Sequence, residues 1–317
     1  YLFNVIKMLS EKGHEIIPFS IDYPENKHSK YSKYFHKPII KSFHYNDNQN
    51  NISFINKLRI VRSSFFNKKS FSSLQNLIDN VNPDAAYVLQ YGVKLSTSIF
   101  DVLSKNQIPV LLRLSDFNLI CAKNVFYRDG GVCTKCITSK YNSVLHRCVN
   151  DSFLQSTTYF AIQKFNEIRH FERKINAFIV PSLFTYELLS KVKQFKHSKI
   201  FHIPTFSNKI SKENSLKPPN YNLKNGLKLC FVGRVAEDKG VDILIDAVKI
   251  LLDKNINVTL DIYGAYNSNY AKIQMQNVQS LNLKSIIFKG YVKSKSIMEI
   301  YNKYHFSVIP SRCYDNM

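Results

Sequence analysis

The sequence predicts an α/β protein built as two Rossmann-like domains, each a parallel sheet with helices on both faces. Strand-length apolar runs alternate with segments whose apolar residues recur every three to four positions, the pattern of repeated βαβ units. The 317-residue length suits about two domains at roughly 150 residues each. A polar stretch at 205–226, containing Pro218-Pro219, separates the two alternating halves and reads as a linker. Apolar residues make up 44% and charged residues 21%, ordinary globular values that exclude collagen, coiled coil and wholesale disorder. No run approaches the roughly 18 apolar residues of a spanning helix, so the chain is expected to be soluble or peripheral to a membrane.

The elements follow in order. Leu2, Val5, Ile6 and Leu9 form one helix face, closed by Gly13, and read as an amphipathic helix rather than a signal peptide. Ile16 to Phe19 reads as a short buried strand, and Tyr23 to Asn51 as a long polar loop. Leu74, Leu77 and Ile78 mark a helix, and Ala85 to Leu89 a strand. Ser96 is placed to cap a helix running to Ser104, and Ile108 to Leu114 reads as a central parallel strand. A helix over Thr157 to Lys174, a strand at Ala177 to Val180 and a helix opened by Pro181-Ser182 complete the first half.

Beyond the linker, Leu227 to Val232 is a strand and Val241, Leu244, Ile245, Val248, Leu251 and Leu252 are a helical stripe. Val258 to Tyr263, Ile286 to Phe288 and Phe306 to Ile309 read as strands ending at Gly264, Gly290 and Pro310, with Ser294 capping a helix through Tyr301. The expected domains are 1–204, with an insertion at 121–148, and 227–317.

The balance is strongly basic: 44 Lys and Arg against 23 Asp and Glu, a net charge of +21. Anionic partners are one explanation and compositional drift another. The Lys are scattered, and the aromatics are not interleaved with Arg, so nucleic acid is not the expected partner.

The sharpest chemical signal is Phe231-Val232-Gly233-Arg234, followed by Lys239-Gly240 and a helix. A strand ends, a glycine permits a tight turn, and two cations flank a helix start. Arg234 can chelate phosphate through its fork, Lys239 adds a point charge, and the helix dipole adds a third positive contribution. On spacing alone, a surface loop with two solvated cations is the commoner meaning of such residues.

With Ile262-Tyr263-Gly264, Phe288-Lys289-Gly290-Tyr291-Val292 and Pro310 to Met317 in the same order, the stretch from Leu227 to Asp315 resembles the donor half of the GT-B glycosyltransferases. The resemblance is specifically to retaining family 4, the glycosyl transferases group 1 family. It implies that Arg234 and Lys239 bind the donor diphosphate and neutralise its leaving charge, beside Gly233 and Gly264. It also implies that Tyr291 and Val292 line the nucleobase pocket. Asp315 stands at the first Glu of the Glu-x7-Glu motif, as a catalytic donor-sugar contact. The first half resembles the acceptor domain more loosely. Gly13-His14-Glu15 matches its first helix and second strand, and Ser115-Asp116 occupies the strand end where many members carry His-Asp, which makes both acceptor-side candidates. Against that family, the chain is expected to be a fragment truncated at both ends, lacking a first strand, a glycine-rich loop, the second motif Glu and closing helices, and therefore inactive by itself.

Cys121, Cys133, Cys136 and Cys148 are spaced C-x11-C-x2-C-x11-C. Four thiolates satisfy tetrahedral zinc, and the middle pair has the spacing of a zinc knuckle, so a structural zinc is expected. Unpaired thiols, two disulfides, an iron–sulfur cluster, or His146 as a competing ligand are the other readings.

The implied function is a cytoplasmic hexosyltransferase of polysaccharide biosynthesis. It would move sugar with retention from a nucleotide-diphosphate sugar to a surface-glycan or lipid-linked acceptor. No organic cofactor beyond the donor is expected, and the basic charge would serve contact with the acidic inner membrane face. The alternative is a non-catalytic or decayed relative that keeps nucleotide and zinc binding.

Overall fold

The computed structural model describes residues 1–39, 53–205, 226–293 and 297–314. The chain divides into two compact units, one of Tyr1–Asn124 with Thr134–Ser207, the other of Val125–Cys133 with Asn208–Asp315.

The first unit opens with α1 (Leu2–Glu11), which stops where Gly13 takes φ +87° and its N–H bonds the Ser10 carbonyl. Then come α2 (Phe54–Phe65), α3 (Lys68–Val81), β1 (Ala86–Val88), α4 (Gly92–Leu95), α5 (Ser98–Lys105) and β2 (Val110–Arg113). The hairpin β3 (Tyr127–Arg128) and β4 (Gly131–Val132) groups with the second unit. The first unit resumes with α6 (Lys135–Thr138), α7 (Asn142–Leu145), α8 (Phe153–Ile168), β5 (Ala177–Val180), α9 (Leu183–Lys191) and β6 (Ile200–His202). Its sheet is parallel in the order β1-β2-β5-β6. β5 is buried along its whole length, and Val110 and Leu112 of β2 join it in the core with Leu74, Leu77 and Ile78 of α3. Side-chain caps start the helices: Asn67 Oδ1 accepts from the Ser70 N–H at 3.1 Å, and Ser182 Oγ accepts from that of Thr185 at 3.2 Å.

The second unit is a parallel sheet in the order β10-β7-β8-β9. Its elements are β7 (Leu227–Val232), α10 (Val241–Asp253), β8 (Val258–Tyr263), α11 (Asn269–Ser280), β9 (Ile286–Gly290), α12 (Ile297–Tyr301) and β10 (Phe306–Ser307). The period-two alternation of β7 serves both faces. Leu229 and Phe231 pack with Leu244, Ile245 and Val248 of α10, whereas Cys230 packs with Ile300 of α12 and Tyr304. No helix among the described residues is long and apolar enough to cross a membrane.

Several elements differ from the sequence reading. Ile16 to Phe19 is not a strand, and among the described residues the neighbouring chain shows only an isolated bridge between Ile21 and His36. Pro18 sits inside that run and has no N–H to give a ladder. Ser96 does not cap at the expected place: it takes φ +59°, its Oγ accepts from the N–H groups of Asn67 and Ser98, and α5 begins at Ser98. The helix expected over Thr157 to Lys174 starts earlier, where Ser152 caps Gln155, and stops at Ile168; His170, at φ +47°, turns the chain into a 3-10 turn over Phe171–Lys174. Helices α2 and α11 and strand β6 are present beyond the elements expected from the sequence. Phe54, Ile55 and Leu58 of α2 are exposed, so its apolar residues do not mark a core face. Ser294 and most of 205–226 lie outside the described residues.

The two faces of adjacent strands give a direct check. Leu260 on β8 is fully buried and Ile287 on β9 is 46% exposed. Urea unfolding should show Leu260→Ala losing about 2–5 kcal/mol and Ile287→Ala losing within about 0.5 kcal/mol. Equal losses would contradict the assignment of the core face.

Candidate functional site

In an open parallel sheet, ligands meet the carboxyl ends of the strands. In the second unit these ends are Val232 and Gly233 on β7, Tyr263 and Gly264 on β8, Gly290 on β9, and the segment from Val308 to Arg312 after β10. Three of these loops touch backbone to backbone, at two places. A Cβ on Gly264 would fall 1.8 Å from the Gly233 carbonyl oxygen, and one on Gly240 would fall 2.1 Å from that of Pro310. Gly240 also needs its φ of +68°. The Gly233 N–H bonds the Tyr263 carbonyl at 2.9 Å and the Gly264 N–H bonds that of Gly290 at 2.8 Å, tying three strand ends into one rim.

Arg234 and Lys239 sit on this rim. Arg234 is 64% exposed and donates through Nη2 to Asp238 Oδ2 at 2.9 Å, with Asp238 itself buried. That contact anchors one nitrogen and turns the rest of the fork toward solvent. Lys239 closes a 3-10 turn (Glu237–Lys239), and Gly240 follows as the residue before α10.

Arg312, to which the sequence reading gives no role, also sits on the rim and makes contacts with three residues. Its N–H bonds the Asp238 carbonyl at 2.9 Å, Nη2 donates to Asp242 Oδ2 at 2.5 Å, and Nη1 donates to the Tyr127 hydroxyl at 3.3 Å. Tyr127 in turn donates to Glu237 at 3.2 Å. Hydrogen bonding to Tyr127 and to Asp242 holds the Arg312 pKa above its ordinary value. Burial pushes the Asp242 carboxyl up, but hydrogen bonds from Tyr270 and Arg312 outweigh it and leave the group below its ordinary value. The signal available in the sequence was the position of Arg312 between Pro310-Ser311 and Asp315; its partners are 70 and 185 residues away along the chain.

Tyr291 follows the end of β9 with 77% of its surface exposed, while Val292 packs beside Cys230, Ile300 and Tyr304. Asp315 lies outside the described residues. In the first unit, Ser115 and Asp116 follow the carboxyl end of β2. Ser115 is exposed; burial pushes the Asp116 carboxyl up, against the Asn118 N–H that bonds it at 3.0 Å. Beside them Arg113 is 4% exposed, donates to Thr205 Oγ1 at 2.7 Å and lies 4.1 Å from the Tyr1 ring centroid.

None of the six cysteines forms a disulfide. Cys121 and Cys136 are buried, and both lie close enough to Tyr159 to add to the rise in its pKa, which burial dominates. Among the described residues, no three His, Cys, Asp or Glu side chains are gathered as metal ligands. His36 bonds Ser70 Oγ at 2.8 Å, a structural contact.

Residues 226–317 match the family model described as Glycosyl transferases group 1. No curated protein matches the chain. Among solved structures, a glycosyltransferase from Rickettsia africae ESF-5 is similar at 14% identity, over 96% of this chain and 67% of that one, with a TM-score of 0.52. A UDP-forming α,α-trehalose-phosphate synthase from Burkholderia xenovorans is similar at 11% identity, over 87% and 62%, with a TM-score of 0.51. The pneumococcal O-GlcNAc transferase GtfA, solved with UDP and GlcNAc, is 16% identical over 76% of this chain, with a TM-score of 0.44, and this chain covers only 40% of its length. The first two likenesses establish the fold: α/β with Rossmann-like parallel sheets, as in GT-B glycosyltransferases.

Two tests follow from the rim. Gly264→Ala must push the Gly233 carbonyl away, and should cost about 1–3 kcal/mol in urea unfolding; an unchanged midpoint would contradict the close approach. Because the Asp242 pKa is lowered in the folded chain, its contribution is complete above the ordinary carboxylate range and is lost as pH falls through the lowered value. The stability gap between the parent and Asp242→Asn should be wide near neutral pH and shrink below about pH 4. A gap independent of pH would show that the pair does not form.

Proposed function

We propose that this chain binds a nucleoside-diphosphate sugar in its second unit and serves a glycosyltransferase of the family 4 type, moving a hexose with retention. The observation that carries this reading is the rim itself. An exposed Arg234 follows the carboxyl end of β7, and Lys239 precedes the amino end of α10, within the segment that matches the family model. A diphosphate placed there would meet a guanidinium fork, an ammonium and the positive end of a 13-residue helix. These groups stabilise the charge that develops as the sugar–phosphate bond breaks, which is the main demand of such a leaving group. Gly233 and Gly264 let the backbone stay low under the phosphates. Arg312 positions Asp238 and through it Arg234, while Tyr291, Val292 and Asp315 are the proposed nucleobase and sugar contacts.

Ser115 and Asp116 are the proposed acceptor-side groups. The acceptor proposed is a surface glycan or lipid-linked sugar, in polysaccharide biosynthesis at the cytoplasmic membrane face, a place that the +21 charge supports. The cysteine spacing alone supports one structural zinc per chain on Cys121, Cys133, Cys136 and Cys148, which would require these thiols to draw together from the positions seen here.

UDP is the probe of choice, because one structure of like fold is a UDP-forming enzyme. Calorimetry should show UDP binding, weakened by Arg234→Ala by roughly 1.5–3 kcal/mol, the value of a charged hydrogen bond. Equal affinity in parent and variant would overturn the site. Metal analysis of protein purified without chelator should find about one zinc; metal-free protein whose four thiols all titrate in the native state would remove zinc from the proposal.

A further inference from the structure

A cavity of about 850 Å³ opens in the first unit at the end of the sheet opposite to the usual ligand cleft. Its walls include Ile175 and Asn176, which lead into β5, and Ser198 and Lys199, which lead into β6. The end of α8 and the segments 136–140 and 192–194 complete it. It therefore lies at the amino ends of β5 and β6, whereas substrates of parallel α/β sheets meet the carboxyl ends. The glycosyltransferase reading gives this place no task.

The lining is rich in cations. Lys140, Lys164, Arg173, Lys193 and Lys199 face two carboxylates, Glu167 and Glu172, with His170 and His197 nearby. Both carboxylates are already engaged. Glu167 pairs with Lys140 at 2.8 Å and with Lys164 at 2.7 Å. Glu172 is buried, accepts from Gln194 Nε2 at 3.3 Å and lies 3.4 Å from His170 Nδ1. Arg173, Lys193 and Lys199 come from three separate segments and make no ion pair among the described residues. Lys140 is held on the cavity wall with its side chain only 9% exposed, its Nζ also donating to Gln194 Oε1 at 3.2 Å. Burial works against the charged form of Lys140. Glu167 already compensates the buried Lys140, but the like charges of Arg173, Lys193 and Lys199 around one concavity repel unless a bound anion balances them.

We propose that this cavity is a second anion site, which takes a phosphate-bearing ligand. The fork of Arg173 would grip two phosphate oxygens, and the ammonium groups of Lys193 and Lys199 would balance the charge from the rim. A volume of about 850 Å³ exceeds a lone phosphate and leaves room for the organic group attached to it. The proposal does not depend on the donor site.

The test uses the whole chain in an Arg234→Ala background, in which binding at the rim of the second unit is weakened. Titration with pyrophosphate should show one binding event. Adding Arg173→Ala, Lys193→Ala and Lys199→Ala together should weaken it by at least about tenfold, the loss of one or more charged hydrogen bonds. These three side chains are exposed, so circular dichroism and the thermal midpoint should not change. A control with Lys254→Ala, Lys272→Ala and Lys284→Ala removes the same charge elsewhere and should leave affinity intact. The source is then read with vesicles of phosphatidylcholine containing 30% phosphatidylglycerol by design (about a third, enough for an anionic surface). Capture by these vesicles that the Arg173 variant set abolishes and pyrophosphate competes away identifies a lipid headgroup; pyrophosphate binding without vesicle capture identifies a soluble phosphate compound. The proposal is overturned if the background chain binds no pyrophosphate, if the cavity variants bind it undiminished, or if the control set weakens it equally.

Discussion

The second unit depends on two places where backbone meets backbone with no room for a side chain. Gly264 lies against the Gly233 carbonyl and Gly240 against the Pro310 carbonyl. Each contact joins the loop after one strand to the loop of another, so the rim is continuous across β10, β7 and β8. Were either glycine replaced, the loops would have to separate, and Arg234, Lys239 and Arg312 would lose their common frame. The hydrogen bonds from Gly233 to Tyr263 and from Gly264 to Gly290 repeat the same dependence at the level of single N–H groups.

On that frame the charges are arranged unequally. Arg312 is tied to Asp242 and Tyr127, and Asp238 receives both the Arg312 N–H and the Arg234 guanidinium. The buried acid thus holds one cation by its backbone and another by its side chain. Arg312 becomes structural and Arg234 keeps an open face. The cavity in the first unit shows the opposite arrangement, where the carboxylates are used up by Lys140 and Lys164 and the outer cations stand without ion pairs among the described residues. Paired cations hold loops in place, whereas unpaired ones around a concavity store repulsion that an anion relieves.

Legibility in the sequence followed the range of the interactions. The α10 stripe, the Leu74-Leu77-Ile78 face and the wholly buried β5 could be read because periodicity is local. The glycines at 233, 264 and 240 could be found as turn residues, but the carbonyls that exclude a side chain there could not, since Pro310 is 70 residues from Gly240. Ile16 to Phe19 misled because its apolar content was read without weighing Pro18. Helix α2 escaped because its apolar residues are exposed and mark no core. Ser96 looked like a cap, yet its hydroxyl serves Asn67, a contact 29 residues away. The cysteine spacing was visible, but spacing states which thiols could meet and not whether the chain brings them together.

The proposed function requires a nucleoside diphosphate to rest on the rim of the second unit. Hydrogen–deuterium exchange of the whole chain, with and without UDP, tests it most directly. A diphosphate held on the rim slows exchange only at the N–H groups of 233–241 and 311–312, with the core of β8 unchanged. Protection confined to 136–140 and 173–199, or no change anywhere at saturating UDP, would contradict it.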